Sequence, residues 1–113
     1  MEFVDTGSAE RATTTTILDD VQTLELSGTQ FVMTGKFDEK PRAAFAKRLT
    51  DYGAIQKRQV TNLTGLLIVG GRPSRDWKYA SSGIKIAQAI RIKEKGGGVL
   101  ILSEERVRDI LTA

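Results

Sequence analysis

Short, uninterrupted apolar runs alternate along this chain with longer stretches in which apolar residues recur every three or four positions. Phe31-Val32-Met33 closes at Thr34-Gly35, Leu66-Leu67-Ile68-Val69 at Gly70-Gly71, and Val99-Leu100-Ile101-Leu102 at Ser103. Side chains alternate faces along a strand, so consecutive apolar residues predict strands buried on both sides. Ile55 to Val60 predicts one more strand. Phe45, Leu49 and Tyr52, following Pro41, predict a helix that ends at Gly53. Ile86, Ala89 and Ile90 predict a second, stopped by Gly96-Gly97-Gly98. Val107, Ile110 and Leu111 predict a third, with Ser103 as N-cap and Glu104 and Glu105 against its positive end. Phe31, Phe45 and Tyr52 are expected in the core, and Phe37 is left open. The order β-α-β-β-α-β-α predicts an α/β fold whose parallel sheet is covered by helices on both faces.

Residues 1–25 lack sustained periodicity and contain Thr13-Thr14-Thr15-Thr16, so a flexible acidic leader or linker is expected there. A single domain is expected over 26–113, in keeping with a length of 113 residues. Nothing approaches the ~20 apolar residues of a membrane span, and the N-terminus lacks the pattern of a secretory signal.

Charge sharpens this division. Residues 1–28 hold six acidic side chains and only Arg11, a net −5, whereas residues 29–113 sum to +8. A body of that charge attracts polyanions. With no Cys and no His in the chain, thiolate or imidazole metal sites and Ser-His or Cys-His nucleophiles are excluded within it. No paired Asp/Glu motif suggests a carboxylate metal site. Gly70-Gly71 and Gly96-Gly97-Gly98 match neither the P-loop nor the dinucleotide fingerprint.

Ligands of open parallel sheets gather outside the carboxyl ends of the strands. Thr34-Gly35 and Gly70-Gly71 fall there. A hydroxyl, an unobstructed amide and two cations, Thr34, Gly35, Arg42 and Lys85, would make a phosphate socket if they converge. On spacing alone, Thr34-Gly35 reads rather as a turn and both cations as solvated. Lys36, Lys40, Arg72, Arg75 and Lys78 lie on the same predicted edge as candidates for a nucleic-acid backbone. Trp77 offers a stacking surface for a terminal base pair or a latch for its loop. Lys47, Arg48, Lys57, Arg58, Arg91, Lys93 and Lys95 are expected on ordinary solvated faces.

The body resembles the BRCT domain. The resemblance is carried by Phe31-Val32-Met33-Thr34-Gly35, Tyr52-Gly53-Ala54, Val60-Thr61-Asn62-Leu63-Thr64-Gly65-Leu66-Leu67-Ile68-Val69-Gly70, Lys85-Ile86-Ala87-Gln88-Ala89 and Ile101-Leu102-Ser103-Glu104-Glu105. It is most similar to the type found in bacterial NAD-dependent DNA ligases, exonuclease-like polymerase subunits and the large subunit of replication factor C. The resemblance implies a four-stranded parallel sheet ordered 2-1-3-4, with the first and third helices on one face and the second on the other. In the clamp-loader type it implies a 5′-phosphate held by a Thr-Gly pair, an Arg opening the first helix and a Lys in the second. Those positions carry Thr34, Gly35, Arg42 and Lys85. The chain departs from the pattern at Gly53-Ala54, at Ile84 and Gln88, in a long Gly71–Ser82 loop, and in lacking a large aromatic near Arg106–Val107.

The implied function is non-catalytic recognition of double-stranded DNA with a 5′-phosphate end, in replication or repair, by a monomer needing no cofactor. The alternative is a module that binds a phosphorylated or unmodified peptide of a repair partner. The expected setting is cytoplasmic, at the nucleoid, in a bacterium and nuclear in a eukaryote.

Overall fold

β1 (Gln30–Thr34) lies inside a four-stranded sheet, between β2 (Ile55–Lys57) and β3 (Thr64–Val69), with β4 (Leu100–Ser103) beyond β3. The computed structural model describes residues 18–71 and 83–112. All three pairings are parallel, and Thr34 sits opposite Val69, which in turn sits opposite Ser103. The carboxyl ends of β1, β3 and β4 therefore share one edge. The parallel sheet expected from the apolar runs and the order 2-1-3-4 implied by the resemblance are both present.

Among the described residues, three helices cover the sheet: α1 (Arg42–Asp51), α2 (Gly83–Glu94) and α3 (Glu104–Thr112). Strand alternation divides the core in two. Phe31, Met33, Leu66, Ile68 and Leu102 pack with Phe45, Ala46 and Leu49 of α1 and Val107 of α3. Val32, Leu67, Val69 and Ile101 pack with Ile86 and Ala89 of α2. Thus α1 and α3 share one face and α2 takes the other. Phe31, Phe45 and Leu49 are fully buried, and truncating a buried Phe to Ala typically costs ~3–5 kcal/mol. Ser103 caps α3 as its sequence predicts, its Oγ accepting from the Arg106 N–H at 3.1 Å.

Several expectations require correction. Tyr52 is 56% exposed: α1 ends at Asp51, leaving Tyr52 as its C-cap, past the buried stripe. The second strand is only Ile55–Lys57, an edge strand whose Gln56 and Lys57 are polar, and it is exposed throughout. Phe37 is buried, with its ring centroid 5.4 Å from that of Phe45.

Residues 18–25, assigned by the sequence reading to the leader, lie against the far edge of the sheet. The Asp19 N–H donates to the Ile101 carbonyl at 2.8 Å, and its carboxylate accepts from the Ile101 N–H at 2.7 Å. Lys93 of α2, expected on a solvated face, is instead part-buried and donates to the same carboxylate at 2.7 and 2.8 Å, because Asp19 is anchored on β4 beside it. Arg106 of α3 reaches Asp20 at 3.1 Å and the Val21 carbonyl at 2.9 Å.

Candidate functional site

Thr34 ends β1 at the carboxyl edge, where its carbonyl accepts from the Gly70 N–H at 2.8 Å. Gly35 follows with φ +87, a conformation that favours glycine, and a Cβ there would lie 3.3 Å from the Gly70 nitrogen. Gly70 is more tightly confined, since its own Cβ would fall 2.4 Å from the Phe37 ring. The turn after β1 and the turn after β3 thus touch backbone to backbone, which accounts for glycine at both. A larger residue at either would separate them.

Arg42 opens α1 beside this turn. Its Nη2 donates to the Met33 carbonyl at 2.8 Å, and its Cζ lies 5.2 Å from the Phe37 ring centroid. A guanidinium has five N–H donors, so this bond leaves others to face outward. Pro41 caps α1 without a side-chain hydrogen bond, and the first turn contains no acidic residue. The partial positive charge of that helix end is therefore not neutralised by its own side chains.

The pleat puts Thr34 on the same face as Val32, the α2 face, and Lys85 is half-buried in the third position of α2. A helix that follows β3 and precedes β4 in a parallel sheet starts from the carboxyl edge. Arg42 is tied directly to Met33, the residue before Thr34-Gly35, and Lys85 stands toward the same edge on the other face of the sheet. Lys36 and Lys40 are exposed in the β1–α1 loop. Arg72, Arg75, Trp77 and Lys78 lie outside the described residues.

The residue missed by sequence reasoning is Glu104. Taken from the sequence as a favourable charge at a helix start, its side chain is fully buried. One carboxylate oxygen accepts from the N–H groups of Asp38, at 2.9 Å, and Gly71, at 2.8 Å, and the other from Glu39 at 2.8 Å. Arg108 stands 3.8 Å away. Burial pushes this carboxyl up, but the three backbone donors and the Arg108 guanidinium outweigh it and hold the carboxyl below its ordinary value. The only sequence signal was an acidic residue directly after a strand. Its three donors lie 33 to 66 positions away, beyond the reach of local periodicity.

Two surface features complete the picture. A shallow groove of about 390 Å³ runs from Arg42 along α1, lined by Ala43, Ala46, Lys47, Thr50 and Gln56. Lys47 pairs with Asp51 at 3.2 Å, but both are exposed, and such a pair is worth only ~0.3–0.5 kcal/mol. Its ammonium can therefore turn to another anion at little cost. A separate cleft of about 360 Å³ lies between Arg48, Tyr52 and Leu111, at the far end of α1. It shares no residue with the carboxyl edge.

Together the fold and this edge define an open parallel α/β module whose carboxyl rim carries exposed Lys36, Lys40 and Arg42. Two curated proteins resemble it in sequence. Over 69 residues, 60% of the chain, it is 39% identical to a DNA ligase of Borrelia duttonii, and the match spans 10% of that ligase. Over 88 residues, 78% of the chain, it is 34% identical to a DNA ligase of Dehalococcoides mccartyi, spanning 11% of it. The chain thus spans about a tenth of the length of the ligases it matches and is related to a segment of each. No known protein-family profile matches it.

Proposed function

We propose that this chain is a BRCT-like, non-catalytic module that binds 5′-phosphorylated DNA ends in replication or repair, within a larger DNA ligase, polymerase or exonuclease. Residues 26–113 form the module, acting as a monomer in the bacterial cytoplasm, or in the nucleus if the source is eukaryotic. The observation that carries this reading is the placement of Arg42 at the end of the central strand, its guanidinium bonded to the Met33 carbonyl beside Thr34-Gly35. A terminal phosphate set there meets the Thr34-Gly35 turn, the remaining Arg42 donors and the start of α1, with Lys85 approaching from the other face. Relation to ligase segments supports DNA as the partner, and so does the +8 body. Lys36, Lys40 and Lys47 lie where the backbone of the bound strand departs.

Fluorescence anisotropy with a recessed duplex bearing a 5′-phosphate or a 5′-hydroxyl tests the reading. The phosphorylated end is expected to bind more tightly. Arg42→Ala is expected to remove that preference, an effect of tenfold or more at ~1.5–3 kcal/mol per charge-assisted bond. Lys85→Ala is expected to weaken it less. Equal affinity for the two ends overturns the proposal. Binding confined to phosphorylated peptides replaces it with a protein-interaction module.

A further inference from the structure

Arg42 is held in place by groups that never meet the ligand, and the contacts behind it lead to Glu104. The Phe37 ring supports the guanidinium from below, 5.2 Å from centroid to Cζ. Phe37 is clamped between Phe45, 5.4 Å away between centroids, and Gly70, whose lack of a side chain makes room for it. The two residues after Phe37, Asp38 and Glu39, each give their N–H to Glu104, and Gly71, directly after Gly70, gives a third. The buried carboxylate therefore ties together the two turns that enclose the ring. A neutral side chain does not replace it: charge-assisted bonds are about twice as strong as neutral ones, and three converging donors match an acceptor-only group.

We propose that Glu104 is a positioning residue for the anion site, fixing the Arg42 guanidinium through the β1–α1 loop and the Phe37 ring. This rests on the reading of Arg42 as a phosphate ligand. It predicts that a group with no access to solvent controls end recognition. Glu104→Gln keeps the shape but turns donors toward backbone N–H groups that need an acceptor. The loop then releases Phe37, and Arg42 loses its platform.

The test is a double-mutant cycle on the full chain, with Glu104→Gln, Arg42→Ala and the double variant. The readout is the affinity ratio between 5′-phosphate and 5′-hydroxyl recessed duplexes. Glu104→Gln is expected to lower that ratio about five- to tenfold, where tenfold corresponds to ~1.4 kcal/mol, and to have no further effect once Arg42 is Ala. An unchanged ratio, or an equal loss in the Arg42→Ala background, overturns the inference while leaving the phosphate site standing. The ¹⁵N-resolved Nε–H signal of Arg42 supplies a readout without DNA. It is expected to shift in Glu104→Gln, and an unshifted signal overturns the inference whatever the wild type does with DNA. If the wild type shows no end preference, the proposed function falls, and with it the role of Glu104 in recognition. If Glu104→Gln fails to fold, Phe37→Leu tests the same route further along. It keeps an apolar plug without a ring beneath Arg42, and an undiminished ratio there overturns the inference.

Discussion

Asp38 exposes a carboxylate on the loop that also carries Lys36 and Lys40, near Gly71 and the proposed ligand. Its backbone N–H serves Glu104, so an amide replacement leaves that bond intact while removing the charge. Asp38→Asn is expected to strengthen binding of the phosphorylated duplex about threefold at low salt, the scale of exposed charge pairs. The gain should shrink as salt is added, and its absence at low salt in anisotropy titrations would remove Asp38 from the field of the site. Glu104 makes a second residue-level prediction. Its folded carboxyl is held below its ordinary value of 4.5, so its stabilising contribution is present above that value and is lost as pH falls through the lower, folded one. Urea midpoints measured from about pH 6 to about pH 3 should therefore fall more for the wild type than for Glu104→Gln. Parallel falls would show that the carboxylate contributes nothing to acid sensitivity. An acidic residue in a loop is legible as a surface charge. A buried carboxylate is defined by donors that local sequence does not identify.

The two edge strands are treated differently. β2 is short, exposed and rich in polar groups at Ile55-Gln56-Lys57 and Arg58, a composition that discourages further pairing. β4 is a longer apolar strand, and Asp19 closes it with one backbone bond, one side-chain bond and the ion pair to Lys93. Asp19→Ala is expected to destabilise the fold by ~2 kcal/mol, because it leaves the Ile101 N–H without its acceptor. Chemical denaturation measures the loss, and faster amide exchange at Ile101 locates it; unchanged exchange would mean that the edge is protected in some other way. The apolar runs and helical stripes made β1, β3, β4 and all three helices legible, and Ser103 marked the start of α3. The end of β2 was less so, because an exposed edge strand lacks the alternation that burial imposes. Tyr52 departs from its expected burial for a related reason: its spacing continues the α1 stripe by one position beyond the helix.

Across the whole molecule, charge is divided between an acidic N-terminal stretch and a basic body, −5 over residues 1–28 and +8 over the rest. If Arg42, Lys85, Lys36 and Lys40 each neutralise one phosphate, log affinity against log salt should fall with a slope of about −3.6. A slope near zero would exclude phosphate contacts as the source of affinity. Removing residues 1–17, which carry Glu2, Asp5 and Glu10 against Arg11, should raise affinity at low salt by easing repulsion. Removing residues 1–25 also takes away Asp19, so its thermal midpoint should drop below that of the shorter truncation. Equal midpoints would detach residues 18–25 from the stability of the body. The sequence by itself determined the order of elements, the parallel sheet and the edge at which Thr34, Gly35 and Arg42 stand. Those follow from periodicities of two and 3.6 residues, which short stretches of chain enforce through their own sterics and burial. The tertiary structure alone decided which turns touch, why Gly70 must lack a side chain, how Arg42 is braced on Phe37, and that Glu104 is an internal anion. Each is a contact between segments that the β-α-β crossovers bring together, and no local pattern encodes the partner at the far end.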